Sequence, residues 1–134
     1  MKTWTSEWKG SKNPGKQRKL VAKAPLHARG KFLSAHLSKE LRAKHNRRSL
    51  RVRKGDKVAI MRGKFKGSAG SVERVDMHKL RVFVSNASTT KKDGTKSLYP
   101  LHASKLMITE LNLTDLKRLG AAPAVVPAKG VSKK

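Results

Sequence analysis

Arg62-Gly63-Lys64-Phe65-Lys66-Gly67 brings three cations and one aromatic ring into a single short loop, with glycines bracketing the last five residues. Lysine and arginine neutralise phosphate, and an aromatic ring offers a stacking face to a splayed base, so the chemistry of this loop is nucleic-acid binding. Phe65 keeps two readings open: a stacking platform, or a lid folded back on an apolar core. The lysines keep their role under either. A loop this short between antiparallel strands must reverse sharply, so Gly67, or equally Gly63, is expected at positive φ. Glycine takes that conformation at little cost, whereas a Cβ costs roughly 1 kcal/mol or more.

Catalysis finds little support. The eight acidic residues are dispersed. Glu73 and Asp76 are close in sequence, but at a strand end and turn, where solvation or a lysine partner accounts for them. His27, His36 and His45 recur every nine residues, which is neither a helical nor a metal-ligand period, and His78 and His102 fall in turns. Cysteine is absent, which excludes disulfides and thiol chemistry and suits a reducing cytoplasm. The sequence is read as non-enzymatic, with no metal site and no cofactor.

Charge sets the partner class. The 134 residues carry 33 Lys and Arg against 8 Asp and Glu, a net charge of +25, and the pI is about 11.3. A compact monomer of that charge repels itself, so a polyanion is the expected counterpart. Residues 1–54 hold 17 of the cations and only Glu7 and Glu40 as anions. Lys12, Lys16, Arg18, Lys19, His27, Arg29, Lys31, Lys39, Arg42, Lys44, Arg47, Arg48, Arg51, Arg53 and Lys54 form this basic arm and join the loop as candidate RNA contacts. No apolar run approaches the ~20 residues of a membrane span, the N-terminus lacks a secretory apolar segment, and no homo-oligomer is expected.

Short strands must position the loop. Val58 and Ile60 alternate before it; Ser71 to Val75, then Leu80, Val82 and Val84, follow it; Ser97–Leu101 and Leu106–Leu111 complete about five strands. Val58, Ile60, Val72, Val75, Leu80, Val82, Leu98, Leu106 and Ile108 are the expected core. Between the strands, Ser85 to Lys96 reads as a hydrophilic hairpin-like excursion turning at Asp93-Gly94. Upstream, residues 1–23 are polar and basic with Gly10, Pro14 and Gly15 as breakers, and are expected to lack order on their own. Trp4 and Trp8, four apart, suit one face of a helical turn that docks on RNA or a neighbouring protein, with local packing on the β domain or simple exposure as the alternatives. Residues 24–48 read as helical segments broken near Ser34–Ser38, with Pro25 as a helix start, Ser38 as an N-cap and Asn46 as a left-handed stop. Asn112 or Thr114 caps a last turn through Leu119, and residues 121–134 form an aperiodic tail. The division is therefore a basic extension (1–54), a β domain (55–111), and a short helix with a tail (112–134).

Gly55-Asp56-Lys57-Val58, Arg62 to Gly67 and Gly70-Ser71-Val72 together resemble a KOW motif, the strand–loop–strand RNA-binding element of small SH3-like barrels. The flanks Asn13 to Lys19, Ala24-Pro25-Leu26-His27, Leu37 to Arg42 and His102 to Ile108 are similar to the archaeal and eukaryotic branch of the twenty-fourth protein family of the large ribosomal subunit, over residues 11–119. The resemblance implies a mainly β fold, an SH3-like barrel with a partly helical N-terminal extension and a short C-terminal helix. It further implies a cytoplasmic ribosomal location, with large-subunit ribosomal RNA and neighbouring ribosomal proteins as partners. It places the motif's characteristic glycine at Gly67 and implies that loop and arm contact RNA near the nascent-chain exit, with a role in assembly. A KOW-domain transcription elongation factor is the alternative, although such factors add a further domain and are seldom this basic. A general basic nucleic-acid-binding protein would leave the β domain unexplained.

Overall fold

The computed structural model describes Trp4 and residues 11–119; the pairing of Trp4 with Trp8 and the tail beyond Leu119 lie outside the described residues. Three helices precede most of the sheet: α1 (Pro14–Lys23), α2 (Leu26–Phe32) and α3 (Lys39–His45). The helix α1 corrects the expectation of a disordered arm over residues 14–23. Pro14 does not break it but opens it, at a position where its missing N–H is not needed. Asn13 caps it, its side chain accepting from Gly15 N at 2.9 Å. The features expected of α3 are present: Ser38 accepts from Leu41 N, and Asn46 closes the helix at φ 49°. On α2, Gly30 is matched to its neighbour: a Cβ there would lie 2.5 Å from the Arg51 guanidinium.

Eight strands follow in chain order: β1 (Ser34–Leu37), β2 (Ser49–Arg51), β3 (Lys57–Ile60), β4 (Ala69–Asp76), β5 (Arg81–Val84), β6 (Ser88–Thr90), β7 (Lys96–Leu98) and β8 (Leu106–Glu110). Six form one mixed sheet in the order β2-β1-β8-β3-β4-β5, and β6 and β7 form the expected hairpin. The fold is mainly β, with the ladder open between β2 and β5 among the described residues. Strand β4 curls the sheet by serving two neighbours. Its first residues pair with β3, and its later ones pair with β5 across a register shift between Val72 and Arg74. The break expected near Ser34–Ser38 is itself a strand, β1, which runs parallel to β8 with His36 opposite Met107 and Leu37 opposite Ile108.

Of the expected core, Val58, Ile60, Val72, Val82, Leu106 and Ile108 are buried, while Val75, Leu80 and Leu98 are only half-buried. Leu33, Ala35, Leu37, Leu50, Val52, Val84, Ala87, Leu101 and Ala103 complete it. Much of that addition comes from β1, β2 and the residues that flank them, Leu33 and Val52. The small core read from the barrel strands is thereby enlarged by residues that precede them.

One buried ion pair closes the domain. Asp56 is fully buried, and Arg118 is 8% exposed. Arg118 Nη1 and Nη2 donate to the two Asp56 carboxylate oxygens at 2.5 Å each. The carboxylate also accepts from Arg53 N at 2.8 Å and Asn112 N at 3.1 Å. The remaining reach of Arg118 goes to the carbonyls of Asn112 and Arg51. A single side chain thus ties the C-terminal 3₁₀ turn (Leu116–Leu119) to the entry of β3 and to β2.

Candidate nucleic-acid interface

The loop between β3 and β4 is built by its backbone. Gly67 N donates to Ile60 O at 2.9 Å, Lys66 N to Gly63 O at 3.0 Å, and Ser68 N to Phe65 O at 3.1 Å. Both candidate glycines take positive φ, 99° at Gly63 and 87° at Gly67. Around Gly67 a Cβ would find nothing within 4 Å, so this position is constrained by backbone conformation alone. Phe65 is half-buried against the core cluster, with its ring centroid 5.4 Å from that of Tyr99, and it therefore packs as a lid. Lys64 sets its Nζ 5.9 Å from the Phe65 centroid, a cation–π distance, while Arg62, Lys64 and Lys66 are all exposed.

Lys105 stands beside this loop. Its Nζ lies 3.9 Å from the position a Cβ would take on Gly63. Burial, together with the positive charges of Arg81 and Lys105, holds the nearby His102 below its usual pKa of 6.5. His102 Nδ1 accepts from Ser104 N at 3.3 Å, which also requires an unprotonated nitrogen there. Lys105 does not stand out in the sequence, because its proximity to the loop comes from the turn before β8.

The arm residues fall into three situations. Lys16, Arg18 and Lys19 are exposed on α1, with Lys12 just before it. His27 and Lys31 are exposed on α2; Lys39, Arg42 and Lys44 on α3; and Arg47 and Arg48 on the turn after it. A second group has internal work. The Arg29 guanidinium donates to the carbonyls of Ala24 (2.8 Å), His78 (2.8 Å) and Ala22, joining α1 to the β4–β5 turn. Arg42 Nε donates to Leu37 O at 2.9 Å. Arg51 reaches the sulfur of Met77 at 2.9 Å, and Arg53 pairs with Asp115. The third situation is convergence. Arg51, Arg53 and Lys54 line one groove with Arg74, whereas Arg18 and Arg29 line a smaller cleft of about 340 Å³ beside His78 and Leu80. Lys12, Lys16, Lys19, His27, Lys31, Lys39, Lys44, Arg47 and Arg48 line neither.

Among the described residues no cluster of His, Asp or Glu is arranged to hold a metal ion, and no helix is long and apolar enough to cross a membrane. Asp76, one member of the only close carboxylate pair that the sequence suggests, is engaged in its own turn. It accepts from His78 N at 2.9 Å and Lys79 N at 3.0 Å. The bond from Lys79 N, foremost, holds its carboxyl below the ordinary 3.8.

The sequence matches, over residues 11–121, the protein family that unites the eukaryotic ribosomal proteins L26 with their archaeal L24 counterparts. It is also 51% identical over 108 residues to the large ribosomal subunit protein uL24 of Methanosphaera stadtmanae, an alignment covering 81% of this chain and 92% of that relative.

Proposed function

Because the chain belongs to this family of structural proteins of the large ribosomal subunit, we propose that it binds large-subunit ribosomal RNA through the β3–β4 loop and the basic arm, close to the exit of the nascent-chain tunnel. Family membership makes the cytoplasmic ribosome its location. The carrying observation is electrostatic. Among the described residues the ion pairs join Arg53 to Asp115, Lys57 to Glu110 and Arg118 to Asp56. Arg62, Lys64, Lys66 and the cations of α1 to α3 take no part in them. Their charge is left for an external polyanion, and RNA phosphate is the polyanion a ribosomal protein meets.

The division of labour follows the chain. Residues 55–111 together with β1 and β2 provide a stable seat, α1 to α3 extend cations from it, and the segment from residue 112 begins with the turn that Arg118 clasps. Contacts of this kind neutralise and position RNA without chemistry, so the role is binding and assembly of the subunit, alongside neighbouring ribosomal proteins. Chemical footprinting of large-subunit RNA with the purified chain tests this reading. Protection confined to RNA segments around the tunnel exit supports it. Protection spread evenly over the RNA would favour a general basic binder instead. Sedimentation with large subunits after a high-salt wash separates a resident subunit protein from a transcription factor carrying a similar β domain.

A further inference from the structure

A groove of about 740 Å³ opens where β2, β4 and the C-terminal segment meet. Its floor is apolar, with Val52 buried and Val75 and Met77 half-buried. Its rim is cationic, with Arg51, Lys54 and Arg74 exposed. Two of those cations are held in place. The Arg74 guanidinium sits 4.3 Å from the centroid of the Phe83 ring, and Arg51 rests against the Met77 sulfur at 2.9 Å. Asn112, Thr114 and Glu73 add polar groups at the edge. The loop-and-arm reading of RNA binding uses none of Glu73, Arg74, Val75, Met77, Asn112 or Thr114.

We propose that this groove takes one unstacked RNA nucleotide, its base on the Val52–Val75–Met77 floor and its phosphate on Lys54 and Arg74. The proposal rests on the RNA-binding reading above and deepens it. The volume falls within the usual range for small-ligand pockets, which pair an apolar lining with a few placed polar groups. The cationic rim disfavours a basic peptide as the occupant. Among the described lining residues Arg53 pairs with Asp115, which leaves Arg51, Lys54 and Arg74 against Glu73. Duplex RNA keeps its bases stacked, whereas loops and bulges splay bases out, and their sequence is read in such pockets. Guanidinium groups held beforehand lose little freedom when a phosphate arrives.

The test is an amide NMR titration of the full chain with AMP, and separately with inorganic phosphate and with a hexaglutamate peptide. AMP is expected to give saturable shifts at Val52, Val75, Met77 and Thr114, while phosphate, within the groove, moves only Lys54 and Arg74. Thr114→Trp fills the groove from an exposed edge and is expected to weaken the AMP response at least tenfold while leaving the melting temperature at the wild-type value. Arg74→Ala is expected to weaken it several-fold. Identical shift patterns with AMP and phosphate would overturn the proposal, as would a Thr114→Trp variant that responds like the wild type. Hexaglutamate moving the floor amides as AMP does would also overturn it, assigning the groove to an acidic protein partner. Loss of ribosomal RNA binding by the wild-type chain would refute the broader function while leaving the AMP result standing, so the two failures are distinguishable.

Discussion

Asp56 and Arg118 show how much of this domain rests on one pair. Removing one partner of a buried pair leaves an uncompensated charge, which typically costs about 3–5 kcal/mol. Small domains hold roughly 5–15 kcal/mol in all, so Arg118→Ala is expected to lower the melting temperature sharply or leave the chain unfolded. Thermal denaturation followed by circular dichroism checks this, and a variant melting like the wild type would remove the clasp from the account. An apolar replacement of both residues would not restore stability here, because Arg53 N and Asn112 N would lose their acceptor. Asp76 makes a gentler prediction. Its carboxyl pKa is lowered in the folded chain, so its contribution is present above 3.8 and is lost as pH falls through the folded value. A carbon-detected titration should place its midpoint below 3.8, and Asp76→Asn should remove that pH dependence of the turn. Asp56 is visible in the sequence as a strand entry, but nothing local marks its partner 62 residues away.

Among the elements, the β3–β4 loop is the most legible, because its conformation is decided by its own glycines. Gly67→Val is expected to cost about 1 kcal/mol or more through the left-handed backbone alone, since the space around Gly67 is open. It should also weaken RNA binding by moving Lys64 and Lys66. By contrast, Lys64→Ala with Lys66→Ala should leave melting nearly unchanged and reduce the salt slope of RNA binding by about two units. Melting curves and RNA affinities of the two variants decide between loop geometry and loop charge. Helix α1 is harder to see, because Pro14 and Gly15 read as breakers although Asn13-Pro14 is a helix start. Asn13→Ala is expected to cost about 1 kcal/mol, seen as faster amide exchange across α1. Exchange at Val58 and Ile108 should not change, because α1 buries none of its residues. Strand β2 and the two residues after it are open to a closer reading: Ser49-Leu50-Arg51-Val52-Arg53 alternates with Leu50 and Val52 inward, but its arginines draw it into the basic arm. Strand β1 carries only four residues, and its partner β8 lies some seventy positions away, so no short window could reveal the pairing.

For the molecule as a whole, the sequence is most informative about charge and least about convergence. Composition points to a polyanion without any geometry, since the sum of charges needs no fold. The grooves are not legible. Arg74 reaches Arg51 and Lys54 only because β4 curls beside β2 and the C-terminal segment closes over the entry of β3. The same folding recruits Arg29, Arg51 and Arg53 to internal contacts. The exposed cations of α1, α3 and the β3–β4 loop are therefore expected to carry most of the affinity for phosphate.

That expectation is tested most directly by the salt dependence of binding between the full chain and large-subunit ribosomal RNA. If on the order of 10 phosphates are neutralised, log affinity should fall against log salt with a slope of several units, through counterion release. A slope near one would mean that the free cations scarcely engage phosphate, and would contradict the account.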